Sequence, residues 1–284
     1  MRTREFGPLD KRVPVIGQGT WQIPDRGTQA PQAVAALRLG IELGLRHIDT
    51  AEMYGDGRAE ALVAQAIAGL PRDQLFIVSK VLPQHASHQG TIKACEASLR
   101  RLRLDYLDVY LLHWQSSYPI GETMGALEVL VDAGKIRALG VSNFDVDDLE
   151  AARAALQRHP LACNQVLYHL RERTIEHAVL PYCQRHHIAI VGYSPFGHGD
   201  FPSPRSRQGE VLEGVARRHQ ATPRQVALAF LSHQAGTFTI PKAAGEEHVR
   251  ENAGALELEL SQAEIDQIDA AFPLNPRTKS LPAL

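Results

Sequence analysis

Four polar residues close three apolar runs in the first half of the chain: Asp49 and Tyr54 in HIDTAEMYG, Lys80 in LFIVSK and His113 in VYLLHW. A carboxylate, a phenol, an ammonium and an imidazole in one pocket would form a proton-donating device. A phenol with a pKa of about 10 donates poorly at neutral pH, and an adjacent ammonium lowers that pKa. Lys80 would be the ammonium, and Asp49 would hold it charged against desolvation. His113 would hydrogen-bond a substrate oxygen or pass a proton to Tyr54. The product is a general acid beside a carbonyl, which suits reduction, because oxygen must gain a proton as carbon gains hydride. None of the four supplies hydride, so the scheme requires a cofactor.

Taken singly, each residue has a plainer reading. Asp49 would cap a turn, Lys80 would be a solvated strand end, and His113 would be a satisfied core histidine. The chemistry depends on a fold that gathers the ends of these segments. Eight short apolar segments read as strands: VPVIGQGTW, RHIDT, LFIVSK, YLDVYLLH, IRALGVS, LACNQV, IAIVGYS and FTIPK. Helical spacing separates them, first at Ala33, Leu37 and Ile41, then over residues 58–69, then at Ile92, Cys95, Leu99 and Leu102, and then at Met124, Leu127 and Leu130. Further helices are expected over 147–157, 174–187, 207–219 and 223–234. A last one starts at Ser261 with Glu264 three residues on and buries Ile265, Ile268 and Phe272.

Parallel strands need crossovers that cover the sheet, so this alternation predicts an α/β fold. It is a single (β/α)8 TIM barrel domain over 1–284, with a short N-terminal hairpin and extra C-terminal helices. In such a barrel the loops after the strands build the active site, which would put Asp49, Tyr54, Lys80 and His113 at one mouth. A doubly wound sheet is the rival. Its dinucleotide loop is missing, because GQGTWQ has the first two glycines of GxGxxG and Gln22 in place of the third.

Composition narrows the function. A net charge of −2, with 22% charged and 44% hydrophobic residues, gives no footprint for nucleic acid and ample material for a core. No run of roughly 18 apolar residues and no apolar leader in MRTREFGPLDKR is present, so the expectation is a cytoplasmic protein without a membrane partner. Cys95, Cys163 and Cys183 fit neither a disulfide framework nor zinc spacing and read as buried thiols. No metal site is expected, since His85, His88, His186 and His187 fall away from the strand ends. A Schiff-base aldolase would need a lysine in LACNQV or IAIVGYS, and neither has one. With no obvious apolar stripe for a second copy, a monomer is expected, with a weak oligomer as the alternative.

The segments IDTAEMYG, VSK, YLDVYLLHW, GKIRALGVSNF, NQVLYH, GYSPF and IPKA, in that order and spacing, resemble the aldo-keto reductase family from end to end. Within the family, the likeness is to short bacterial aldehyde and methylglyoxal reductases. The resemblance implies a catalytic tetrad of Asp49, Tyr54, Lys80 and His113, with Tyr54 as proton donor in the NADPH-dependent reduction of small aldehydes, ketones or dicarbonyls. It also implies a nicotinamide site built from barrel loops. Ser142, Asn143 and Gln165 would meet the carboxamide, Tyr193 would stack on the ring, and Ser194 would stand beside it in GYSP. Lys242, His248, Glu251 and Asn252 would hold the adenosine end.

Two positions depart from the family pattern. Ala243 stands where many members have Ser or Thr, and His248 where many have Arg, so a hydroxyl and a permanent bidentate cation are both missing. NADPH (NADP+) is still expected, with NADH as the weaker alternative. Trp21 and Trp114 match aromatic pocket walls, and the short tail FPLNPRTKSLPAL implies an open pocket for small carbonyl substrates. The alternative within the resemblance is a nucleotide-sensing subunit with little turnover.

Overall fold

The computed structural model describes residues 1–276, 278 and 280–284. It begins with an antiparallel hairpin, β1 (Thr3–Phe6) and β2 (Leu9–Pro14). Gly7 makes the turn at φ +55°, and a Cβ there would fall 2.3 Å from the Ala162 carbonyl oxygen, so no other residue fits. The hairpin carries the fully buried Phe6 onto Phe76 and Phe238, with ring centroids 4.6 and 4.9 Å away, and so plugs the floor of the barrel.

Eight strands follow: β3 (Gln18–Gly19), β4 (His47–Asp49), β5 (Phe76–Val81), β6 (Leu107–Leu112), β7 (Ile136–Ser142), β8 (Leu161–Leu167), β9 (Ala189–Tyr193) and β10 (Thr237–Thr239). Each pairs in parallel with the next, in sequence order. A parallel bridge from Ile16 to Thr239 closes the ring, with the Gly17 and Gly19 amides donating to the carbonyls of Thr239 and Pro241 at 2.8 and 3.0 Å. The crossovers are α1 (Ala30–Glu42), α2 (Arg58–Ile67), α3 (His88–Leu102), α4 (Ile120–Asp132), α5 (Val146–Ala155), α6 (Val179–Arg185) and the pair α7 (Arg207–Arg218) and α8 (Pro223–Leu231). After β10 come α9 (Glu246–Gly254) and α10 (Gln262–Ala271). This is the expected (β/α)8 barrel with its hairpin and C-terminal helices.

The strands are apolar on both faces because both are covered. One face of β5 and β6, with Val78, Val109 and Leu111, fills the barrel, and the other, with Ile77, Tyr110 and Leu112, packs under the helices. Two expected elements take a different form. VPVIGQGTW divides, its Val13 and Pro14 ending the hairpin while Gln18 and Gly19 form β3; Gly17 comes close to His47, whose carbonyl oxygen would lie 2.5 Å from an added Cβ. The helix expected over 174–187 breaks into a 3-10 turn at Thr174–His177 and α6. Pro181 has no amide hydrogen to give the preceding turn, so it is accommodated only in the first turn of a helix.

His47 is wholly buried near the barrel floor, packed edgewise against Phe6 and Phe76, and both ring nitrogens lack hydrogen-bond partners. Burial, reinforced by the charge of Lys80, lowers its pKa to about 3. Below about pH 6.5 the unfolded chain binds a proton that the folded imidazole refuses, so stability is lost as pH falls from there toward 3. Denaturant unfolding of His47→Leu is expected to show a pH dependence shallower by about 1.4 kcal/mol per pH unit in that window. Parallel curves for the variant and the unsubstituted chain would mean that His47 is already paired or hydrated.

Candidate active site

At the mouth, β4 ends on Asp49, β5 carries Lys80 near its end, and His113 follows β6 directly. Alternation along a strand separates the functional face from the supporting one. Ser79, next to Lys80, points the other way and donates to the buried Glu60 at 2.6 Å. Lys80 is fully buried, and its Nζ donates to Asp49 Oδ1 at 2.6 Å, to the Thr50 carbonyl at 3.0 Å and to the Tyr54 hydroxyl at 3.1 Å. The three ammonium hydrogens are thereby satisfied.

Tyr54 lies in a turn beyond the end of β4. Gly55, Asp56 and Gly57 follow it at φ +60°, +54° and +83°, a run of left-handed backbone that the sequence Gly-Asp-Gly tolerates. Asp25 locks the turn by accepting from Arg58 Nε at 2.9 Å, and its carboxylate leaves no room for a Cβ on Gly55.

Burial works against the Lys80 ammonium, but Asp49 and then Tyr54 outweigh it and raise the group above the ordinary lysine value. Burial raises the Asp49 carboxyl, opposed by Lys80 and by Gln165, whose Nε2 donates to Asp49 Oδ2 at 2.7 Å. For Tyr54, burial is again the first cause and it is upward; Lys80 pulls down, as the sequence led us to expect, but does not prevail. The phenol is therefore held protonated. Burial and the Lys80 charge lower His113 to about 2, so its imidazole is neutral. A neutral ring, 5.7 Å from that of Tyr54 and at 73° to it, is suited to hydrogen-bond an oxygen rather than to carry a proton charge.

A layer of amides adjoins the tetrad. Ser142 Oγ donates to the Gln165 carbonyl at 2.9 Å, and Asn143, in the left-handed region at φ +61°, donates to the His113 carbonyl at 3.3 Å. The Tyr193 hydroxyl donates to Asn143 Oδ1 at 2.9 Å, and burial raises the Tyr193 phenol to about 12. A cavity of about 330 Å³ runs from Asp49, Tyr54 and His113 past Ser142, Asn143, Gln165, Tyr193 and Ser194 to Lys242, with Trp21 and Trp114 on its walls. Lys80 lies beneath it. His248, Glu251 and Asn252 are on α9, outside its lining. There His248 is exposed and 3.4 Å from Glu251, which accepts the Thr222 hydroxyl at 2.7 Å, and Asn252 is buried.

Several lining residues were not anticipated: Met53, Phe196, His198, Arg224 and Leu284. His198 belongs to the Gly- and Pro-rich loop after β9 and packs against Trp21 at 5.6 Å. Leu284 reaches the mouth, its amide 3.4 Å from the Tyr193 hydroxyl, so a short tail does not by itself leave the pocket open. Among the described residues, no three His, Cys, Asp or Glu side chains cluster to hold a metal ion, and no helix is long and apolar enough to cross a membrane.

The profile of the Aldo/keto reductase family matches residues 15–272. The chain belongs to this family. Among the relatives of this aldo/keto reductase, methylglyoxal reductase YeaE of Escherichia coli is 47% identical over 264 residues, 93% of each chain. Glyoxal reductase of Bacillus subtilis is 37% identical over 91% of this chain and 88% of its own. A Klebsiella pneumoniae aldo-keto reductase crystallised with NADPH superposes with a TM-score of 0.91 at 44% identity, covering 100% of this chain and 99% of its own. A second Klebsiella pneumoniae structure, with NADP and acetate, gives 0.90 at 45% identity over 99% of both chains.

Proposed function

We propose that this aldo/keto reductase, acting as one barrel domain, reduces small aldehydes, ketones and dicarbonyls such as methylglyoxal to alcohols with NADPH, the proton coming from Tyr54. The observation that carries the reading is the buried Lys80 bridging Asp49 and the Tyr54 hydroxyl at 2.6 and 3.1 Å, at the base of an amide-lined cavity. The reductase relatives and the NADPH and NADP complexes of the Klebsiella proteins support it.

The residues present suit a nicotinamide. Gln165 donates from its side-chain amide to Asp49 and lines the cavity, where Ser142, Asn143 and Tyr193 join it, so amide and hydroxyl groups are at hand for a carboxamide. Bound nicotinamide would supply the hydride to the carbonyl carbon. Tyr54 gives its proton to the carbonyl oxygen, and the phenolate left behind is stabilised by the ammonium 3.1 Å away. Asp49 keeps that ammonium charged, and neutral His113 hydrogen-bonds the same oxygen and orients it. Lys242 would face phosphate, with His248, Glu251 and Asn252 on the adenosine side. Without a hydroxyl at Ala243 or an arginine at His248, preference for NADPH over NADH should be modest. Trp21, Met53 and Trp114 add apolar surface to the lining of a cavity of about 330 Å³, which suits small carbonyls.

The test is a steady-state panel of small aldehydes, dicarbonyls, aldoses and steroid ketones with each nucleotide. Methylglyoxal and related small aldehydes with NADPH should give the highest kcat/KM. Far higher efficiency on steroid ketones, or a single turnover of bound NADPH with no steady state, would overturn the proposal.

A further inference from the structure

Arg224 is at the second position of α8, in the turn where a helix presents its positive end and where a cation is disfavoured. Among the described residues it makes no ion pair. Its guanidinium lies instead 4.7 Å from the ring centre of Phe196 and 4.9 Å from that of Phe201, two rings set edge to face at 5.7 Å. Both aromatics belong to the loop between β9 and α7, and Phe196 and Arg224 line the same cavity as the tetrad and Lys242. A planar cation held between aromatic faces is fixed in direction while its N–H donors remain available. An unneutralised arginine of this kind, aimed into a pocket beside a lysine and at a helix N-terminus, forms a site for a dianion.

The position along the cavity says which anion. Arg224 shares the cavity with Tyr193 and Asn143, whereas His248, Glu251 and Asn252 lie beyond it. In a dinucleotide that enters nicotinamide first, the group that lies between those two sets of residues is the diphosphate bridge. We propose that Arg224, clamped by Phe196 and Phe201, is a positioning residue that grips the diphosphate bridge of the bound dinucleotide together with Lys242. The assignment rests on the dinucleotide binding proposed above and adds a contact that reads charge common to NADPH and NADH.

Equilibrium binding of NADPH and of NADH, followed by quenching of tryptophan fluorescence across a sodium chloride titration, separates the possibilities. Arg224→Met is expected to weaken both nucleotides about tenfold and to flatten the salt dependence of each, and Arg224→Lys to restore the salt dependence and part of the affinity. Unchanged affinities in a variant that melts like the parent would overturn the assignment. So would a loss confined to NADPH, which would place Arg224 on the 2′-phosphate, or a loss with an unaltered salt slope in both variants, which would make it only a clip for the loop. If the unsubstituted chain binds neither nucleotide, the proposed function itself fails; if it binds both and Arg224→Met matches it, only the role of Arg224 fails.

Discussion

Tyr54→Phe is expected to bind NADPH nearly as tightly as the parent and to reduce methylglyoxal roughly 10²–10⁴-fold more slowly. The ring remains, so the edgewise contact with His113 and the cation–π contact with Lys80 at 4.7 Å survive. Only the hydroxyl is lost, and with it one of the three acceptors of the ammonium. Asp49 and the Thr50 carbonyl still hold Nζ, so the change to the ground state is small. The whole effect should fall on kcat, because a group that transfers its proton in the transition state contributes little to holding the ground state. Nucleotide titration and single-turnover rates on the same preparation decide it. Equal losses in binding and in rate would make Tyr54 a structural residue.

Lys80→Met carries the second large effect, on stability and on rate together. The ammonium is fully buried, and its loss leaves the Asp49 carboxylate in the barrel with Gln165 as its remaining partner. Breaking a buried pair from one side costs about 3–5 kcal/mol, unless the survivor takes up a proton. The rate should fall at least about 10²-fold, because the phenolate that develops on Tyr54 loses its counter-charge. The double variant Lys80→Met with Asp49→Asn separates the two losses. Denaturant unfolding should recover most of the stability, since no lone charge remains, and the rate should stay low. Full stability in the single variant would contradict a charged pair, and recovered activity in the double variant would remove Lys80 from the chemistry.

Much of the barrel was legible in the residues because its strands are covered on both faces. Such strands read as unbroken apolar runs, and a polar residue at the end of one, as at Asp49 or Lys80, stands out against them. The elements that read poorly are those whose form depends on neighbours distant in the chain. β3 keeps only two residues of the expected strand, with Gly17 passing close to His47, whereas the helix expected over 174–187 breaks on a local feature, Pro181. Arg224 carried no signal at all, since an arginine among helical residues looks solvated until Phe196 and Phe201 are seen on either side.

By itself, the sequence determined the order of eight strands and the four groups at their ends, because periodicity and residue type are local properties. Tertiary structure decided what those groups are. Gln165, 116 residues from Asp49, reaches its second carboxylate oxygen, burial rather than Lys80 sets the direction of the Tyr54 phenol, and His113 is neutral because it is buried near a charge. Each depends on desolvation and on contacts across the barrel, and neither exists until the ring of strands has closed.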